Sequence, residues 1–134
     1  MKKTYKFMVA FLLSISLLMA TNEARCYALA MSSAVVDIEG ADLNCTLSCD
    51  TTYARATASF VGGSGTVEAT ARGYYYDEDS HEVRISSFNS NPTPGGVSAT
   101  ANCRSGYSFF AAEGVYAVRS PRGTGGTNLY VSLE

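Results

Sequence analysis

Any Ser-His-acid or Cys-His chemistry in this 134-residue chain has to run through His81, because the sequence contains a single histidine. A triad needs that base beside a nucleophile and an orienting acid. His81 instead stands in Asp77-Glu78-Asp79-Ser80-His81-Glu82, a run of ionisable side chains, and reads as a solvated residue at a hairpin tip. Ser64 lies in Gly62-Gly63-Ser64-Gly65, yet Thr66 occupies the place where a nucleophile elbow has its second glycine. The plain reading there is a flexible turn. Zinc would need Cys45, Cys49, Cys103 and His81 to converge with no Cys-x-x-Cys or His-x-x-x-His pair among them, a spacing that argues against a site.

The acidic run is the one segment with cation chemistry, since repulsion among Asp77, Asp79 and Glu82 would fall if calcium bound. It lacks the glycine and the ligand spacing of an EF-hand loop, and acidic hairpin tips are often simply solvated. Glycoside hydrolysis would need one acid in an apolar pocket with a raised pKa, whereas these acids crowd together in a loop. No catalytic set assembles, so the expectation is a protein without enzymatic activity or cofactor.

Binding is better served. Tyr74, Tyr75 and Tyr76 are consecutive, and in a strand two of them must face one way and one the other. Tyr74 and Tyr76 follow Thr70 and Arg72 onto the expected solvent face, where aromatic rings stack on sugars or anchor protein interfaces. Cross-strand neighbours such as Phe88 or Arg84 would cover them in the alternative reading. A second candidate is Arg122, in the Gly-rich segment Ser120 to Thr127, read as a long mobile loop of the kind that often carries recognition. Asn44-Cys45-Thr46 matches a glycosylation acceptor but lies within a strand pattern.

The elements that must hold these residues are strands. Leu43, Cys45, Leu47 and Cys49 alternate with polar residues, as do Ala54 to Phe60, Val67 to Ala71, Val83 and Ile85, and Val97 to Cys103. Period two without helical spacing means half-buried strands. The heaviest run is Tyr107 to Val118. Glycine, proline and acidic turns separate these runs, so antiparallel pairing follows. The expectation is one all-β domain over residues 31–134, a small antiparallel immunoglobulin-like sandwich of seven or eight strands. Ala-Thr-Ala recurs three times at unequal intervals, which excludes a solenoid and suits two closely approaching sheets.

Cys45 and Cys49, four apart in one strand, stand about 13 Å from one another, beyond the roughly 7 Å limit for bridged α-carbons. The expected disulfide therefore joins Cys103 to Cys49, with Cys45 as the alternative partner, and closes a long loop worth about 4 kcal/mol in chain-entropy terms.

Ahead of the domain, Lys2, Lys3 and Lys6 precede an apolar run from Phe7 to Ala20, too short to span a bilayer and read as a cleaved helical secretory signal over residues 1–30. Small residues allow a cut after Ala28 or Ala30, or upstream after Ala24, which alone would retain Cys26. Residues 31–134 carry eleven carboxylates against six scattered arginines and no lysine, a balance of −5. No basic patch exists to neutralise phosphates, so nucleic acid is not an expected partner. No stable membrane insertion is expected after processing either. The resulting expectation is a secreted, extracellular, non-enzymatic binding or structural domain with a cell-surface, glycan or protein partner. A small antagonist such as a bacteriocin or toxin is the second reading, and a carboxylate-dependent enzyme the third.

Overall fold

The structure is a computed structural model that describes residues 29–133. The expected leader, with cleavage positions Ala24 and Ala28, lies outside the described residues except for Leu29 and Ala30. There is no helix among the described residues, and hence none long and apolar enough to cross a membrane.

The strands are β1 (Ala30–Ile38), β2 (Ala41–Cys49), β3 (Tyr53–Val61), β4 (Thr66–Asp77), β5 (Glu82–Asn89), β6 (Thr93–Pro94), β7 (Gly96–Asn102), β8 (Phe109–Ser120) and β9 (Gly123–Ser132). One antiparallel sheet runs in the order β1-β2-β3-β7, the other in the order β5-β4-β8-β9 with β6 also on β4. The β1–β2 turn is Glu39-Gly40, with φ of 50° and 86°. Positive φ at both central residues is the primed turn that matches strand twist, and Gly40 supplies one of the two cheaply. The Asp37 carboxylate accepts the Gly40 amide at 3.2 Å and tightens it.

The two sheets face each other over an apolar core whose halves differ in bulk. β3, β4 and β7 contribute alanines, with Ala54, Ala56, Ala58, Ala69, Ala71, Ala99 and Ala101 all buried. Small residues let the backbones close up: α-carbons of β4 and β7 come within 8 Å across the core, nearer than the ~10 Å usual for stacked sheets. β2 and β8 fill the other half with Leu43, Leu47, Tyr116 and Val118. The Tyr116 hydroxyl finds a partner in the Thr46 carbonyl, so its burial leaves no polar atom unpaired.

The expectation of two antiparallel sheets with these inward faces holds for β2, β3, β4 and β7. Four details differ. Strand β1 adds to the expected count and brings it to nine among the described residues, with β6 a two-residue bridge. Its inward positions, Ala30, Ser32, Ala34 and Val36, are only partly buried, and all but Val36 are small or polar, which makes the alternation weak.

The segment from Ser120 to Thr127 is no mobile loop. It forms a tight turn at Pro121-Arg122 and then β9, with Ser120 paired to Gly123.

The strand order also departs from the four-stranded immunoglobulin sheet, in which two hairpins meet through non-consecutive strands. Here β1, β2 and β3 form a meander.

Finally, no disulfide forms: Cys45, Cys49 and Cys103 are free thiols. Cys49 faces Ala54 on β3, and Ala54 faces Ala101 on β7. Cys103 follows β7 with its amide donating to the Thr52 carbonyl at 2.8 Å, while the Cys49 thiol donates to the Asp50 carbonyl at 3.2 Å instead of bridging. Cys45 pairs with Ala58, four residues along β3 from the Ala54 that faces Cys49.

Candidate functional site

The register of the second sheet writes its outer face in rows. Tyr76 lies beside Val83. Ile85, Tyr74, Ala111 and Ser132 form the next row, and Ser87, Arg72, Glu113 and Tyr130 the one after. Beyond it the face turns polar, through Asn89, Thr70, Val115 and Asn128. The end bearing the tyrosines is thus aromatic and aliphatic, and the far end is hydrophilic. Val83, Ile85, Tyr76, Phe110 and Tyr130 make up five of the ten exposed large hydrophobic residues among the described residues, with Tyr130 at 62% and Ile85 at 55%.

Local packing sets which tyrosine points where. Tyr75 turns inward at 9% exposure and stacks on Tyr107 at 5.1 Å and on Phe109 at 6.3 Å between ring centroids. Gly73 makes room for that stack, since a β-carbon there would overlap the Phe109 ring. Tyr74 and Tyr76, one residue to either side of Tyr75, must then face outward. The β4–β8 register slips between Tyr74, opposite Ala111, and Tyr75, opposite Phe109. The extra residue is Phe110, 41% exposed beside Tyr76, an example of a bulge that re-aims a side chain.

Tyr74 is fixed, whereas Tyr76 is freer. One Glu113 carboxylate oxygen accepts from both the Tyr74 hydroxyl at 3.0 Å and the Arg72 guanidinium at 3.1 Å. Partial burial, then the adjoining Glu113 carboxylate, push the Tyr74 phenol above its ordinary pKa. Tyr76 is 48% exposed and its hydroxyl lies 3.5 Å from His81 Nδ1. His81 holds a φ of 56° at the end of the β4–β5 turn.

A cavity of about 490 Å³ opens at this end of the sheet, lined by Tyr76, Glu78, Asp79, Gly106, Tyr107, Ser108 and Phe110. Behind it, Asp77 is buried, and its carboxylate accepts the Asp79 amide at 3.1 Å and faces Arg84 at 3.7 Å. Loss of water opposes ionisation there, but hydrogen bonds from Asp79 and Ser80 and the charge of Arg84 hold the Asp77 carboxyl below its usual pKa.

The calcium trio does not gather. Asp77 serves its own turn and Arg84, Glu82 lies 3.2 Å from Arg84, and Asp79 faces solvent. No cluster of three His, Cys, Asp or Glu side chains suited to a metal occurs among the described residues. Arg122 lies at the opposite end of β8 from the tyrosines, where its guanidinium donates to the Glu39 carbonyl at 2.8 Å. It clasps two hairpin turns and shares no surface with Tyr74 or Tyr76.

Sequence reasoning placed Tyr74 and Tyr76 on the outer face and left out the other members. Val83 and Ile85 alternate with Arg84 and Ser86 and were expected inward. The register puts them opposite Tyr76 and Tyr74 and leaves Arg84 and Phe88 on the other side of β5. The cross-strand neighbours of the tyrosines are therefore apolar and exposed. Tyr130 lies just past the Ser120 to Thr127 segment expected as a loop, and only the alternation of buried Leu129 and Val131 with exposed Tyr130 marks its strand. Phe110 had no signal of its own, because a bulge is a property of two strands.

Compared with protein-family models, with curated proteins and with solved structures, the chain matches none. Its class is defined here by its architecture alone: a small two-sheet antiparallel β-protein with a one-ended aromatic face.

Proposed function

We propose that this protein is an exported, non-enzymatic binding module whose aromatic end docks on an extracellular protein surface. The observation that carries the reading is the gathering of Tyr76, Val83, Ile85, Phe110 and Tyr130 at one end of one sheet face. Contiguous exposed apolar surface costs solubility and marks contact sites. Tyrosines suit such sites because they bury much area for few frozen torsions. Val83 and Ile85 favour a protein over a glycan, since aliphatic side chains offer no ring face to a sugar.

A binding role also accords with the weak nucleophiles. Burial pushes the Cys45 and Cys49 thiols up to about 11, so few thiolates exist near neutral pH. Immunoglobulin-like describes the module only loosely, as two antiparallel sheets that present a surface.

The test is retention of the processed protein on arrays of extracellular proteins and of glycans. Tyr74→Ser/Tyr76→Ser together should weaken capture by about a hundredfold, as expected for central aromatic anchors. Unchanged capture of that variant would rule out the face, and capture by glycans alone would replace the protein partner. The rival reading, a small antagonist, predicts growth inhibition by purified protein. The balance of −5 over residues 31–134 disfavours attack on anionic membranes.

A further inference from the structure

We infer that the cavity beside Tyr76 binds a cationic group, an ammonium or guanidinium presented by a partner or by a small amine. The inference rests on the reading of this end of the sheet as the binding end and names the chemistry that end selects.

Three aromatic residues, Tyr76, Tyr107 and Phe110, line the cavity with two carboxylates, Glu78 and Asp79, and no basic residue. Its volume of about 490 Å³ is in the range of ligand sites. Aromatic faces carry negative quadrupoles, and walls of rings with acids at the rim are the arrangement that draws in organic cations. An anion would meet repulsion from both acids, and a neutral apolar ligand would leave them unpaired.

The carboxylates are available. Glu78 and Asp79 have no ion-pair partner among the described residues, whereas Arg84 approaches both Asp77 and Glu82. The molecule already uses the same chemistry next door: the Arg104 guanidinium sits 5.4 Å from the centroid of Tyr107, and Arg104 does not line the cavity. The local potential is negative despite Arg104. The charge of Asp77 first, then burial, push the Tyr107 phenol above its ordinary pKa, with Asp79 adding and Arg104 opposing.

The charged and titratable groups around the site are therefore Asp77, Glu78, Asp79, His81, Arg84, Arg104 and the two tyrosines. His81 lies against Tyr76 at 3.5 Å.

The test is titration of the ¹⁵N-labelled processed protein at pH 7.5, read at the Gly106 and Ser108 amides. The probes are tetramethylammonium, its neutral isostere 3,3-dimethylbutanol, and sodium and calcium chloride at matched ionic strength. Saturable shifts are expected with tetramethylammonium, at least about tenfold tighter than with the alcohol. They should be lost in Phe110→Ala and in Glu78→Gln/Asp79→Asn, all surface changes. Acetylated lysine and arginine methylamides then separate a partner's side chain from a free quaternary amine. Equal affinity for the alcohol, shifts with calcium alone, or no saturable shift with any cation overturns the inference. The docking face is scored separately by array capture of Ile85→Lys, which leaves the cavity lining intact. Retained capture by Ile85→Lys together with saturable ammonium binding fails the docking reading alone, whereas lost capture by Ile85→Lys with no saturable ammonium binding fails the cavity alone.

Discussion

The hydroxyl of Tyr116 on β8 donates to the carbonyl of Thr46 on β2 at 2.7 Å, across the core. This contact joins the two sheets through a side chain that is 2% exposed. A neutral hydrogen bond of this kind is worth about 1 kcal/mol net. Tyr116→Phe should therefore lower unfolding free energy by about that much, read as a shift in the urea midpoint at unchanged slope. A loss several times larger would mean that the ring itself has moved.

Alkaline pH should destabilise the fold. Burial raises the Cys45 and Cys49 thiols from 9.0 to about 11, Asp50 and Cys103 adding to the effect at Cys49, and it raises the Tyr116 phenol as well. Groups with raised folded-state pKa values stabilise fully below the unfolded value and lose that contribution as pH climbs through the folded one. Stability should hold up to about pH 9 and then fall toward pH 11, at up to about 1.4 kcal/mol per pH unit for each buried thiol. Urea midpoints at pH 8, 9 and 10.5 measure it, and Cys45→Ala should flatten the decline.

Thiol reactivity should split two ways by position. Cys103 is partly exposed in the segment after β7, while Cys45 and Cys49 are 1% and 0% exposed on β2. Brief alkylation at pH 8 followed by peptide mapping should label Cys103 first and reach the β2 thiols only after unfolding. Rapid labelling of Cys45 in native protein would contradict the core.

Gly73→Ala should cost about 1–3 kcal/mol, the usual penalty for overpacking, because the new methyl overlaps Phe109. Combining it with Phe109→Leu should cost less than the sum of the single changes, since a smaller neighbour relieves the clash. Additivity in denaturant titrations would place the strain elsewhere.

Removing the Arg122 clasp should be a stability change alone. Arg122→Ala forfeits the 2.8 Å bond to the Glu39 carbonyl, an exposed contact worth about 0.5–1.5 kcal/mol at most. Array capture through the tyrosine end should not change, because the Pro121-Arg122 turn caps the other end of β8. Loss of capture in this variant would relocate the binding surface.

Much of this was legible in the residues. Alternation of Leu43, Cys45, Leu47 and Cys49, and of the alanines on β3, β4 and β7, required strands with one buried face, because side chains on a strand can only alternate. The same rule put Tyr75 on the side opposite Tyr74 and Tyr76. Alternation, however, does not say which of two faces is covered. Val83 and Ile85 look like a core pair in isolation, and only pairing with Tyr76 and Tyr74 turns them outward.

Sequence alone thus determined the β class, the inward alanines, Cys45 and Cys49, and the two-to-one split of the tyrosines, since these follow from residue type and period. Tertiary structure decided the rest. Strand neighbours, the bulge at Phe110, the unpaired state of Cys49 and Cys103 and the cavity beside Tyr76 are relations between segments distant in the chain. Their geometry comes from register and sheet packing, which no local pattern encodes.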